Sequence, residues 1–122
     1  MKGFNLEKGN LGENMAKKYL EEKGYSVVEQ NYKNKWGEID LIVKDKKELV
    51  FVEVKTRIGE QFGTPEDAIN KDKINRLMKN SQAYMNYKIK SADFSYRIDA
   101  ICIVLDNKNN LIRINHYENI TS

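Results

Sequence analysis

Cysteine occurs once in the 122 residues, as Cys102, so neither a disulfide framework nor a cysteine-ligated zinc site is available, and a reducing, cytoplasmic compartment is the simplest expectation. Long apolar runs are missing as well. The longest, Leu49 to Val52 and Ala100 to Leu105, fall far short of the roughly 20 residues that span a bilayer, which excludes a transmembrane helix and predicts no membrane partner. Residues 1–10 carry Lys2 and Lys8 without an apolar stretch behind them; no secretory signal is expected there, and the segment reads as flexible. Charge of one sign is not in large excess either. Twenty-one basic against 18 acidic residues leave a formal +3, which permits nucleic-acid binding without demanding it. Repeats, low-complexity tracts and linkers are absent, so one domain over residues 1–122 is expected, large enough to bury roughly two-thirds of its unfolded surface.

What is present is a succession of short periodic segments. Leu11, Met15, Ala16, Tyr19 and Leu20 recur at helical spacing up to Lys23, and Gly24 stands at the C-terminal cap position. Tyr25 to Tyr32 and Trp36 to Lys44 read as strands joined by the basic turn Lys33 to Lys35. Glu48 to Thr56 begins apolar on both faces, the pattern of a central strand. After a glycine-bearing loop, Arg57 to Thr64, comes a helix with Thr64 as N-cap, Pro65 at its first position and Glu66 and Asp67 in its first turn. Its buried stripe is expected to be Ile69, Ile74, Leu77, Met78, Tyr84 and Met85. Tyr96 to Leu105 and Leu111 to Tyr117 close the chain as strands around the turn at 106–110. The fold class is α/β, in the order α-β-β-β-α-β-β.

Joining the second and third strands through the polar turn at Lys46 and Lys47 makes an antiparallel hairpin in which Leu41 faces Val52 and Ile42 faces Phe51. That register puts Ile39, Leu41 and Val43 against Val54, Val52 and Val50 on one apolar surface. It also places Asp40 opposite Glu53 and Glu38 opposite Lys55 on the other. Two carboxylates about 5 Å apart repel each other, and partial burial beside Phe51 and Ile42 raises the cost. A hard divalent cation, Mg²⁺ or Mn²⁺, would neutralise them. Lys55 is then close enough to orient or help deprotonate an attacking water, or to stabilise charge on a phosphate. The bland alternative is a cross-strand network in which Lys55 and a nearby arginine pair with the acids.

Gly37-Glu38-Ile39-Asp40-Leu41-Ile42, followed by Phe51-Val52-Glu53-Val54-Lys55-Thr56-Arg57, resembles the PD-(D/E)xK nuclease superfamily with its restriction-endonuclease-like fold. More closely, the chain resembles the small bacterial YraN-like family, related in fold to archaeal Holliday-junction resolvases. The likeness runs from Gly12-Glu13 through Asn31-Tyr32 and Gly63-Thr64-Pro65 to Arg97-Ile98-Asp99, and departs at Ile39, where the superfamily's name places proline. It implies a mixed β-sheet flanked by helices, a metal held by Asp40 and Glu53 with the Val54 carbonyl as a further ligand, and Lys55 as the catalytic lysine. Glu13 would match the helix-borne acid of resolvase-like members, whereas by sequence alone it suits the positive end of its helix.

Other residues carry weaker signals. Glu38 reads as an acid beside the site or as the partner of Lys55. Lys71, Lys73, Arg76 and Lys79 form a basic helix flank suited to phosphates, although such flanks are commonly only solvated. Arg57 and the loop after it would close over a substrate or serve as a plain connector. Arg97 and Asp99 read as a bracing ion pair, and His116 as structural. Trp36, Tyr84, Tyr87 and Phe62 are candidates to stack on unpaired bases, with core or rim the commoner place for the tyrosines. The expected activity is metal-dependent phosphodiester hydrolysis on nucleic acid, DNA in the first instance and branched DNA by resemblance. The rival is a module of nuclease-like fold that binds nucleic acid or protein without cutting. A two-fold substrate would call for a homodimer, for which no apolar strip in the sequence marks an interface.

Overall fold

The strand that is apolar on both faces is the middle of the sheet. The computed structural model describes residues 2–89 and 94–121, with side chains from residue 10 onward. In it β3 (Glu48–Ile58) pairs antiparallel with β2 (Gly37–Asp45) and parallel with β4 (Ser95–Leu105). β1 (Ser26–Asn34) and β5 (Leu111–Tyr117) form the edges, giving the spatial order β1-β2-β3-β4-β5. Helix α1 (Lys2–Glu22) and helix α2 (Lys71–Tyr87) complete the mixed α/β architecture in the expected chain order. A parallel neighbour cannot be reached by a tight turn, so the chain between β3 and β4 crosses over as α2.

Each face of the sheet carries its own core. Ala16 and Leu20 of α1 pack on Leu41, Val43, Val50, Val52, Val54, Ile101 and Ile103. On the other side Leu77, Tyr84 and Met85 of α2 pack on Ile39, Ile42, Leu49, Phe51 and Ile98. Phe51 is the centre of that second cluster, its ring 5.5 Å from Tyr84 and 5.6 Å from Tyr96, both edge-on. Burying a side chain of this size contributes roughly 2–3 kcal/mol.

Four expectations are corrected. The first helix begins at Lys2 rather than Leu11, since helical backbone extends ahead of the apolar periodicity by which it was recognised; Met1 and the side chains of residues 2–9 lie outside the described residues. The helix expected from Thr64 is two elements. Thr64 and Asp67 form a capping box over the 3-10 turn Pro65–Ala68, Ile69 leaves helical geometry, and Asn70 starts α2 by accepting the Lys73 amide at 2.9 Å. Met78 is largely exposed instead of buried. Arg57 belongs to β3, which the parallel ladder extends to Ile58 opposite Leu105. The loop that follows is tied down: Arg113 reaches Glu60 at 2.8 Å and Glu66 at 2.7 and 2.9 Å. Among the described residues no helix is long and apolar enough to cross a membrane.

One close approach sets where α1 sits. Gly12 rests on β3 so tightly that a Cβ there would overlap Thr56 Oγ1, and it would stand only 3.1 Å from Thr56 Cβ. Helix propensity alone makes Gly12→Ala stabilising by up to about 1 kcal/mol. The overlap reverses the sign, so a loss of about 1–3 kcal/mol is expected in urea denaturation, recovered in part by adding Thr56→Ala. A gain in stability from Gly12→Ala alone would contradict this packing.

Candidate acidic site at a strand fork

The β2–β3 ladder runs from Asp45–Glu48 to Leu41–Val52 and goes no further, although β3 continues along β4 to its end. Beyond Val52 the amides on that edge of β3 lack a strand partner. The Val54 amide is satisfied instead by a side chain: it donates to Asp40 Oδ2 at 2.8 Å. The predicted register therefore holds in the hairpin and ends one residue short of the acids. Asp40 does not face Glu53, nor Glu38 Lys55, as a regular rung. The side-chain alternation breaks at the same place, since Ile39 packs in the α2 cluster and Leu41 in the α1 cluster, two residues apart on one strand. The expected placing of Ile39 with Leu41 and Val43 is corrected accordingly.

β1 is distorted opposite this point. Gln30 pairs with Leu41 and Tyr32 with Ile39, but Asn31 between them has a φ of +54°, a conformation asparagine tolerates better than most residues. With its amide turned so that the nitrogen faces the acids, Asn31 donates to Glu13 at 2.9 Å and to Glu38 at 3.0 Å. Glu13, Glu38 and Asp40 each present an oxygen within 4.8 Å of the others. Glu13 arrives from α1, placed by the Gly12 contact. Glu53, only 2% exposed, is hydrogen-bonded to Asp40 from β3. The fork thus gathers four carboxylates from three elements.

Their titration follows from this crowding. Burial pushes Glu53 up to about 8, the facing Asp40 carboxylate adds to the rise, and Lys73 opposes it. Asp40 is also raised, first by burial and then by the charges of Glu13 and Glu38, against its bonds to Glu53 and the Val54 amide. Glu13 is raised, chiefly by burial. The described cation in contact with the set is Lys73, whose Nζ lies 3.0 Å from Glu53 Oε2. Glu53 Oε2 still lacks a hydrogen bond of good geometry.

Among the predicted residues, Glu13, Asp40 and Glu53 meet here. Val54 takes part through its amide. Lys55 is half-buried on β3, two residues beyond Glu53, and makes no ion pair among the described residues, so the bland pairing of Lys55 with the acids is not what forms. Lys73, expected as a phosphate contact, is instead the partner of Glu53. Arg76 lines a narrow cleft with Glu38, Lys73 and Asn80, while Lys71, Lys79 and Arg57 are exposed. Sequence reasoning missed Asn31 as part of the site and underweighted Glu38. An asparagine in mid-strand, one residue from the bend in its hairpin partner, was the available signal.

A second acid group, Asp99, His116 and Glu118, differs in kind. Asp99 is fully buried, but His116 at 2.8 Å, Arg97 at 3.0 Å and the Asn119 amide at 2.9 Å more than offset the desolvation and hold its carboxyl below the usual range. Lys23 Nζ lies 3.1 Å from His116 Nδ1, on the far side of the ring from Asp99. Arg97 also binds Glu48, Glu118 and Tyr25. This network gives Asp99 an arginine, a histidine and a backbone amide as partners and braces β4 against β5, as expected of Arg97 and Asp99.

A sequence model of the family described as "Uncharacterised protein family UPF0102" matches residues 12–103. The chain belongs to this family. It is 42% identical over 105 residues to a UPF0102 protein of Clostridium botulinum strain 657, covering 86% of this chain and 85% of the relative. It is 44% identical over 101 residues to one from Syntrophus aciditrophicus, covering 83% and 79%. A third, from Caldicellulosiruptor bescii, is 38% identical over 107 residues, covering 88% and 90%. This is the YraN-like family that the sequence resembles, and its matched segment contains Glu13, Asn31, Glu38, Asp40, Glu53, Lys55 and Lys73.

The raised Glu53 carboxyl fixes the sign of a pH effect. With a folded value near 8 against 4.5 for the free side chain, its contribution to stability is intact below about pH 4.5 and is lost as pH rises through 8. Glu53→Gln should therefore stabilise the metal-free protein at pH 8 by an amount on the order of a few kcal/mol, and by much less at pH 5. Urea denaturation at both pH values checks this; equal effects would contradict the buried, raised carboxyl.

Proposed function

We propose that this chain is a divalent-metal-dependent nuclease that hydrolyses phosphodiester bonds in nucleic acid, DNA in the first instance, with Mg²⁺ or Mn²⁺ as its cofactor. The observation that carries the reading is the convergence of Glu13, Glu38, Asp40 and Glu53 at the fork with one lysine in contact. The donor set fits such an ion: every candidate ligand is a hard oxygen, and the one lysine in contact, Lys73 at Glu53 Oε2, leaves the group of four carboxylates short of positive charge. Asp40 and Glu53 would hold the ion, with Glu13 and Glu38 beside them. When bound, it supplies Lewis acidity and neutralises charge at the scissile phosphate. Lys55, which makes no ion pair among the described residues, would orient the attacking water or stabilise charge on the phosphate. Asn31 fixes the orientation of two of the acids, and the exposed Arg57, Lys71, Arg76 and Lys79 offer contacts to the backbone of the substrate. The resemblance of the Asp40 and Glu53-Val54-Lys55 segments to the PD-(D/E)xK superfamily supports the same chemistry. A module that only binds nucleic acid or protein gains nothing from acids that resist ionisation.

Purified protein incubated with end-labelled single-stranded, duplex, flap and four-way-junction DNA and with RNA should cut at least one substrate in Mg²⁺ or Mn²⁺ and none in chelator. Asp40→Asn and Lys55→Ala should each reduce the rate by about 10²-fold or more. Absence of cutting across the panel, with wild type and variants binding alike, would replace this reading by the binding module.

A further inference from the structure

Next to the acidic fork lies a larger groove, about 600 Å³, between the β1–β2 turn and the outer flank of α2. Its lining is unusual for a surface folded only for its own sake. Trp36 is 46% exposed and Tyr87 75% exposed, and the largely exposed Met78, on the same helix as Tyr87, also lines the groove. Three large apolar side chains around one concavity mark a binding surface rather than scattered exposure. The charged lining residues are Lys35 and Lys79, and no acid is among those lining it. Lys35 Nζ stands 5.0 Å from the centroid of the half-exposed Trp36 ring, so a cation and an aromatic platform sit together at the groove.

The groove is also connected to the acids. Trp36 lines both it and the narrow cleft, and the cleft's other walls include Glu38, Lys73 and Arg76. Lys73, Arg76 and Lys79 recur every three residues and Tyr87 ends the helix, a track of about 21 Å at 1.5 Å per residue. At the neck sits Asn80, 2% exposed, whose Oδ1 has no hydrogen-bond partner. A buried acceptor left unmet costs about 1–3 kcal/mol unless a ligand supplies the donor, and an N–H on a base edge, such as thymine N3–H, is such a donor.

We propose that this groove binds single-stranded DNA, with unpaired bases stacked on Trp36 and Tyr87 and phosphates held by Lys35, Lys79 and Arg76, and that it leads the strand past Asn80 to the acidic fork. The direction of the track rests on the nuclease reading; the occupancy of the groove does not. Duplex is disfavoured because paired bases hide their faces in the stack, whereas aromatic platforms and a cationic edge suit an open strand. On the groove floor Gln82 accepts from Tyr96 at 2.9 Å and donates to Asn86 at 3.2 Å, so recognition falls to the aromatic faces and the cations, and the comparison with oligouridylate below decides DNA against RNA.

Trp36 is the only tryptophan, so its fluorescence reports directly on the groove. The full chain would be titrated in chelator with an oligothymidylate of about a dozen nucleotides, the same length of duplex, and oligouridylate. Single-stranded DNA should quench Trp36 and bind at least about 10-fold tighter than duplex. By anisotropy of a labelled strand, Trp36→Ala and Tyr87→Ala should each weaken binding by about 5- to 150-fold with unchanged unfolding midpoints. Unchanged Trp36 fluorescence at saturation, duplex bound as tightly, RNA bound more tightly, or full affinity in both variants would overturn the proposal. Groove binding by a protein that cuts nothing leaves this proposal standing and removes the nuclease reading. Metal-dependent cutting without single-strand binding does the reverse.

Discussion

Much of this structure depends on one backbone amide. Where β2 leaves β3, the Val54 N–H loses its strand partner, and Asp40 Oδ2 takes the place of a carbonyl at 2.8 Å. An unmet buried amide would cost about as much as a lost hydrogen bond, so the carboxylate is held there by the sheet's own need. The strands can part only because β4 keeps β3 fully paired on its other edge, out to Ile58. The fork is therefore a product of the mixed topology: an antiparallel hairpin that ends early beside a parallel ladder that does not.

Burial of charge has opposite results at the two acidic groups, and the difference lies in their partners. Asp99 has an arginine, a histidine and a backbone amide, and its carboxyl is held below the usual range despite full burial. At the fork, Asp40 and Glu53 share each other's field and one lysine, and both are raised. The first arrangement is complete as it stands and stiffens the β4–β5 end of the sheet. The second is short of positive charge, a deficit that the proposed divalent ion would relieve.

The sequence was most readable where side-chain alternation is regular. The hairpin register, the central strand and β5 from Leu111 to Tyr117 follow directly from period-two patterns and agree with the structure. Reading failed where regularity ends. Strict alternation put Ile39 with Leu41, but the strand bends at Asp40 and sends them to different cores. Asn31 left only a weak signal, an asparagine in mid-strand, because its role depends on its own left-handed conformation opposite that bend. Lys73 looked like any basic residue on a solvated helix flank, and only the packing of α2 on the sheet brings it to Glu53. The split near Ile69 was hidden because Thr64 is a sound cap for a helix of either length.

The site is consequently a joint property of both cores. Asp40, Glu53 and Lys55 come from adjacent strands of the sheet, but Glu13 is delivered by α1 across one face and Lys73 by α2 across the other. A shift of either helix by the width of a methyl group moves a charge relative to the fork, and Gly12 against Thr56 shows how little room α1 has. Close packing of this kind carries an energetic advantage for a site made of like charges. The repulsion among the carboxylates is spread over contacts on both faces of the sheet, so no single local element has to resist it alone. The acids stay near one another because the two hydrophobic cores, which gain far more than the acids lose, are assembled on the same central strand.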